Sequence, residues 1–86
     1  TNQGTAFAIV KSLTEFTTVA ASTGARLPTP EPGEIFMVAN KGANALAVYP
    51  PSGGIINALA ANTALSVAVG TARLFIAISA TQYYSI

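Results

Sequence analysis

Glu34-Ile35-Phe36-Met37-Val38-Ala39-Asn40, then Lys41-Gly42-Ala43-Asn44, then Ala45-Leu46-Ala47-Val48-Tyr49, is the stretch on which the fold turns. The first run is rich in β-branched and aromatic residues and reads as a strand. The middle run supplies a turn, because Asn bonds nearby backbone and Gly42 tolerates unusual φ. The third run reads as the returning strand of a hairpin. Pro50-Pro51-Ser52-Gly53-Gly54 ends it, since two prolines cannot donate to a ladder.

The same reading extends to the C-terminus. Residues 65–69 and 73–79 are predicted strands separated by a tight turn at Gly70-Thr71. Ala80-Thr81 turns the chain into a last strand, 82–86. Residues 55–62 stay open between extended chain and one helical turn, because Ile56, Leu59 and Ala60 have helical spacing. Upstream, 7–10 and 16–21 are candidate strands. Leu27-Pro28-Thr29-Pro30-Glu31-Pro32-Gly33 is a stiff, extended surface loop, since alternate prolines exclude helix. Short strands with frequent turn signals give an all-β fold, a small antiparallel sandwich or barrel. The chain is one domain overall, with arm, strands and Pro-rich loop in 1–33 and a β core module in 34–86.

Alternation within the strands suggests two apolar faces. Phe36, Val38, Leu46, Val48, Leu74, Ile76 and Ile78 are the expected core, with Leu65, Val67 and Val69 facing one way on their strand. The opposite face carries Ala45, Ala47, Tyr49, Phe75 and Ala77, together with Arg73, Ser66, Ala68 and Ser79. In a lone antiparallel sheet that second face should be polar. Small flat residues with scattered aromatics suit a subunit contact instead, or internal burial in a two-sheet sandwich.

Composition supports the contact. The chain has 86 residues, 51% of them hydrophobic and 17 of them Ala, with 8% charged and a net charge of +1. Ordinary soluble domains carry about 25% charge. A chain this small hides only about 60% of its surface on folding and usually needs a staple. Without Cys or His, disulfides and most transition-metal sites are excluded, which leaves partner subunits as the staple. Four cations are too few for nucleic acid. No apolar run approaches the length of a membrane span, because Pro50, Pro51, Gly53, Gly54 and Gly70 interrupt the uncharged stretch 42–72. No signal peptide is visible, and Thr1 fits removal of a starting Met before a small residue, so synthesis in a cytoplasm is expected.

Chemistry finds little to work with. There is no Cys, His or Asp, so neither a Ser/His/Asp nor a Cys/His arrangement can be built. Lys11 and Ser12 are adjacent and would point to opposite faces of a strand. Glu31 and Glu34 flank Pro32-Gly33 and more simply solvate a loop than serve as a glycosidase pair. Ser52-Gly53-Gly54 lacks the lysine and spacing of a phosphate loop. Tyr49, Tyr83 and Tyr84 read as core or interface rather than as a sugar platform. Asn40, Asn44, Asn57 and Asn62 fall at turns. The chain is therefore expected to be no enzyme and to hold no cofactor or metal.

The run from Val38 through Asn40-Lys41-Gly42, Tyr49-Pro50-Pro51-Ser52-Gly53-Gly54 and Asn57 resembles a small β-module of virion and prophage proteins of tailed bacteriophages. The ending Thr81-Gln82-Tyr83-Tyr84-Ser85-Ile86 resembles the close of that module, with Tyr83 where a Trp is common. The resemblance spans residues 34–86 and implies a structural role. A free-standing chain of this size fits a capsid decoration (cement) protein, which binds the major capsid protein on the shell exterior and also itself, as a homotrimer. The alternative is another virion part, such as a tail or fibre module binding a receptor or carbohydrate. Residues 1–13 are expected to form an attachment arm, with polar Asn2 and Gln3 followed by apolar anchors Phe7 and Ile9, or else an ordinary first strand. Tyr83 completes the expected interface. Neither nucleic acid nor membrane is an expected partner.

Overall fold

A computed structural model describes residues 3–4, 6–10, 12–19 and 24–86. The described residues contain no helix. Their strands are β1 (Phe7–Ala8), β2 (Leu13–Phe16), β3 (Gly24–Arg26), β4 (Ile35–Asn40), β5 (Leu46–Tyr49), β6 (Ile55–Ile56), β7 (Leu65–Val67), β8 (Thr71–Ala77) and β9 (Gln82–Ser85). They form a four-stranded sheet, β1-β3-β5-β7, and a five-stranded sheet, β2-β4-β8-β9-β6.

The all-β class and the two-layer arrangement agree with the sequence. The antiparallel expectation needs correction, because both sheets are mixed. β1 pairs with β3, β3 with β5, β2 with β4 and β6 with β9 in parallel, whereas β4–β8, β8–β9 and β5–β7 are antiparallel. The expected hairpin over residues 34–49 is a second correction. β4 and β5 lie in different sheets, so 41–45 is an arch from one layer to the other.

Asn40 explains the arch. Its side chain is 1% exposed at the end of β4. Its Nδ2 donates to the carbonyls of Asn44 (2.8 Å) and Val67 (3.0 Å), and its Oδ1 accepts from Gly42 N–H (2.9 Å). A turn residue that bonds across the layers directs the chain to the opposite sheet rather than back along its own edge. Gly42 then lies against Val19. A Cβ at Gly42 would collide with Val19 N and stand 2.6 Å from Val19 Cβ, so this approach requires glycine. Asn44 Nδ2 donates to Val19 O at 2.8 Å and completes the clasp.

The N-terminal third is woven into both layers rather than set apart from the module in 34–86. β1 and β3 belong to the four-stranded sheet and β2 to the five-stranded one. The predicted strand at 16–21 is displaced, because β2 ends at Phe16. Residues 20–21 lie outside the described residues. Between β3 and β4 the proline run changes layers, and it is less superficial than expected, with Leu27 and Pro30 buried. Glu31-Pro32-Gly33-Glu34 closes as a turn, with Gly33 at φ 92° and Glu34 N–H bonded to Glu31 O at 3.1 Å. Residues 55–62 resolve into β6 followed by turns.

Between the sheets lies one apolar core containing Ile9, Val19, Leu27, Phe36, Val38, Leu46, Val48, Ile56, Val67, Phe75 and Tyr83, with Ala25 and Ala77 filling close approaches. Phe36, Val38, Leu46 and Val48 are thus where the sequence placed them. β8 is inverted. Phe75 and Ala77 are buried, whereas Leu74 and Ile76 are half-buried and Ile78 is 50% exposed. The β4–β8 register sets this orientation. Phe36 pairs with Phe75, and directly paired residues share a face, so Phe75 follows Phe36 inward. Phe36 also meets Tyr83 edge-to-face, with ring centroids 6.2 Å apart. Two large rings fill more of the inter-sheet space than Ile side chains would. On β7, Val67 is buried and Leu65 packs against the core, but Val69 is 51% exposed because the strand ends at Val67.

Candidate functional site

Burial divides the expected interface residues into two groups. Ile9, Phe75, Ala77 and Tyr83 are at most 1% exposed. They belong to the core and cannot reach a partner, which corrects their assignment. Tyr83 is held from two sides. Its ring packs on Phe36, and its hydroxyl donates to Pro28 O at 2.7 Å. Burial, aided by the negative charge of Glu34, pushes its phenol well above the ordinary value of 10.0. Ile9 is core because its N–H bonds Arg26 O at 2.8 Å, which continues the β1–β3 pairing inward.

The second group reaches the surface. Ala47 pairs with Ser66, and Tyr49 with Arg26, on the outward side of the four-stranded sheet. Ala45 is exposed just before β5. Gln3 lies near this face and is held to the domain rather than projecting as an arm. Its Nε2 donates to Pro50 O (2.7 Å) and Asn62 Oδ1 (3.0 Å), and Arg26 Nη1 donates to Gln3 O at 2.9 Å. With Phe7–Ala8 in strand β1 and Ile9 in the core, the described N-terminal residues form an edge of the sandwich. This overturns the free-arm expectation for them. Phe7 is 57% exposed and stacks edge-to-face on Phe16 at 5.8 Å, closing the gap between β1 and β2. Asn2 lies outside the described residues, as do Thr1, Thr5 and Lys11.

Inversion of β8 creates a surface that the sequence reading missed. Its aliphatic side joins the outward residues of neighbouring strands into cross-strand rows. Leu13 pairs with Met37 and Met37 with Leu74, and Ile86 N–H bonds Leu74 O. Ile35 pairs with Ile76 and Ile76 with Tyr84. Ile78 N–H bonds Gln82 O, and Gln82 pairs with Ile55. Leu13, Ile35, Met37, Ile78, Tyr84 and Ile86 are each 36–72% exposed. The signal was present as Leu74, Ile76 and Ile78 on alternate positions, but periodicity alone does not say which side of a strand is the core.

Among the described residues no group of three metal-binding side chains occurs. Glu15 forms an exposed ion pair with Lys41 at 3.8 Å. Glu31 and Glu34 are exposed around the proline turn. Tyr83 points inward while Tyr84 and Tyr49 lie on opposite sheets, so the tyrosines form no common platform. Asn57 and Asn62 adopt φ of 53° and 66°, and the Asn62 carboxamide accepts from Gly53 N–H at 2.7 Å, consistent with turn roles. No described helix is long and apolar enough to cross a membrane. Comparison with known protein families, curated proteins and solved structures finds no match.

Proposed function

We propose that this protein is a decoration (cement) protein on the exterior of a bacteriophage capsid, bound both to the major capsid protein and to further copies of itself. The supporting observation is a small sandwich with two opposite outer sheet faces, each poor in charge. One face presents Leu13, Ile35, Met37, Tyr84 and Ile86. The other presents Ala47, Tyr49 and Ser66, with Arg26 as its charge. A cement protein needs such bivalency, because it must hold the shell with one surface and its neighbours with another. Many modest contacts repeated over a shell then act as avidity.

The four-stranded face is the proposed capsid contact. Ala45, Ala47 and Tyr49 give it a low relief that another protein surface can approach closely, and Gln3 and Arg26 add donors at its margin. The mechanism is adhesion without turnover, so no residue has a catalytic role. Binding to undecorated capsids tests the proposal directly. Saturable occupancy and a raised temperature of genome release are expected, and Ala47→Glu should reduce both by desolvating a carboxylate without a partner. Location of the protein in the tail, with no binding to capsids, would refute the reading.

A further inference from the structure

We infer that Arg73 and the cavity beside it form a binding site for a single carboxylate group. Strand register fixes where Arg73 points. It pairs with Val38, which is fully buried, and stands two residues before buried Phe75. Paired residues share a face and alternate residues face the same way, so Arg73 is directed to the inner side of its sheet. That side is otherwise the apolar core, and the guanidinium is half-buried at its end.

The surroundings hold this side chain without neutralising it. Arg73 Nη1 donates to Ser85 Oγ at 3.0 Å. The same oxygen accepts from Asn57 Nδ2 at 2.9 Å, and Asn57 Oδ1 accepts from Ser85 N–H at 2.9 Å. A hydroxyl oxygen has two acceptor positions, so Ser85 Oγ is filled and takes no further donor. The carbonyl of Ala68 is also occupied, by Thr71 N–H at 3.2 Å and Thr71 Oγ1 at 2.7 Å. A guanidinium presents a fork of several N–H donors. Among the described residues only Nη1 of Arg73 has a protein acceptor.

The acidic side chains of this chain lie elsewhere. There are three, all Glu. Glu15 sits on the outward side of β2, opposite Ala39, and pairs with Lys41. Glu31 and Glu34 belong to the turn tied to Ala77, at the other end of β8 from Thr71. Among the described residues Arg73 makes no ion pair.

A cavity of about 280 Å³ adjoins the guanidinium, lined by Ser66, Ala68, Thr71, Ala72, Arg73 and Ile86. It lies beside β7, the last strand of the four-stranded sheet. Apart from Arg73 its lining residues are exposed, so it is open to solvent. The guanidinium fork matches the paired oxygens of a carboxylate. One positive charge balances one carboxylate, whereas the second charge of a phosphate would find no further cation in the lining. The carboxylate has two sources, a free small acid or an acidic side chain of a protein partner, and the recognition chemistry is the same.

Titration of isotope-labelled protein with sodium acetate, at ionic strength held constant with chloride, tests the site by nuclear magnetic resonance. The Arg73 Nε–Hε signal should shift saturably with a millimolar midpoint, since so small a ligand has few atoms to bind with. Arg26, whose Nη1 is held on Gln3 O, is the internal control and should not follow. Arg73→Gln should abolish the saturable shifts at the amides of Ser66, Thr71 and Ala72. Arg73→Lys keeps the charge without the fork and should weaken the midpoint about tenfold. If Arg73→Gln does not fold, the wild-type and Arg73→Lys titrations decide. A shift that never saturates, that appears equally at Arg26, that persists in Arg73→Gln, that is as tight in Arg73→Lys, or that phosphate matches would mean an adventitious ion only and overturn the proposal. A second arm, which rests on the virion reading, identifies the source. Capsid occupancy lost in Arg73→Gln and competed by acetate in the wild type assigns the carboxylate to a shell protein; unchanged occupancy assigns it to a free small acid. Wild-type protein that binds acetate but no capsid refutes the virion reading and leaves the site intact.

Discussion

Replacing Asn40 with Ala tests what joins the two layers. The substitution removes three hydrogen bonds and strands their partners: the carbonyls of Asn44 and Val67, and the N–H of Gly42. The Val67 bond is buried, so its acceptor loses a partner where water cannot easily enter, at about 1–3 kcal/mol. The other two bonds are part-buried and contribute about 0.5–1.5 kcal/mol each. The combined loss is about 2–6 kcal/mol. An 86-residue domain has a total stability of roughly 4–13 kcal/mol, so the fraction removed is large. At about 4–8 °C per kcal/mol, the melting temperature should fall by at least roughly 8 °C and by up to roughly 48 °C.

Urea denaturation and a thermal scan measure this loss, and Asn40→Asp sharpens the test. That variant keeps an acceptor for Gly42 N–H but points a carboxylate at two carbonyls. Its folded pKa should lie above the ordinary value of about 3.9, because the charged form is disfavoured. The protonated acid can donate one of the lost bonds. Its stability is therefore greatest below the unfolded pKa and declines as pH rises through the folded value. A loss under about 1 kcal/mol in Asn40→Ala, or no pH dependence of the difference between Asn40→Asp and wild type, would refute the reasoning.

Further outcomes follow from neighbouring contacts. Gly42→Ala should destabilise by about 1–3 kcal/mol, since Val19 must shift to admit the Cβ; the measurement is the denaturation midpoint. Phe75→Ala should cost about 3–5 kcal/mol, whereas Ile78→Ala should cost under about 1 kcal/mol, and the reverse order would refute the inverted β8. Tyr83→Phe should cost about 1 kcal/mol at neutral pH through loss of the bond to Pro28 O. Because the folded phenol titrates above its unfolded value of 10.0, wild-type stability should be fully present below pH 10 and fall above it by up to about 1.4 kcal/mol per pH unit; alkaline titration of Tyr83→Phe should show a shallower decline.

The strands of the C-terminal half were legible because their composition is locally consistent, and the β8–β9 turn at Ala80-Thr81 followed directly. The hairpin error at residues 34–49 has a different origin. Two adjacent strands joined by an Asn- and Gly-containing turn read as a hairpin, and local chemistry does not encode which sheet receives the second strand. The Asn40 side chain decides that through Val67, twenty-seven residues away. β3 was missed because Gly24-Ala25-Arg26 has no strand propensity. It exists because β1 and β5 pair with it on either side, and Ala25 permits close packing at 0% exposure.

The inversion of β8 also determines which surface can be adhesive. Phe75 and Ala77 alternate with Leu74, Ile76 and Ile78, so either side of the strand could have been the core. Register resolves the ambiguity by pairing Phe75 with Phe36, and every aliphatic partner on the other side is then turned outward together. The low charge of the chain carries the expectation of a partner-covered face. Its location shifts from a mixed patch of Ala, Tyr and Phe to continuous rows of Leu, Ile, Met and Tyr. Substituting Glu at Ala47 and at Leu13 separates the two surfaces experimentally: the first should weaken shell binding with self-association intact, and the second, combined with Ile86→Glu, should dissolve self-association while the fold persists. If both substitutions act on the same property, the two faces do not have separate roles, and the bivalent cement mechanism loses its physical basis.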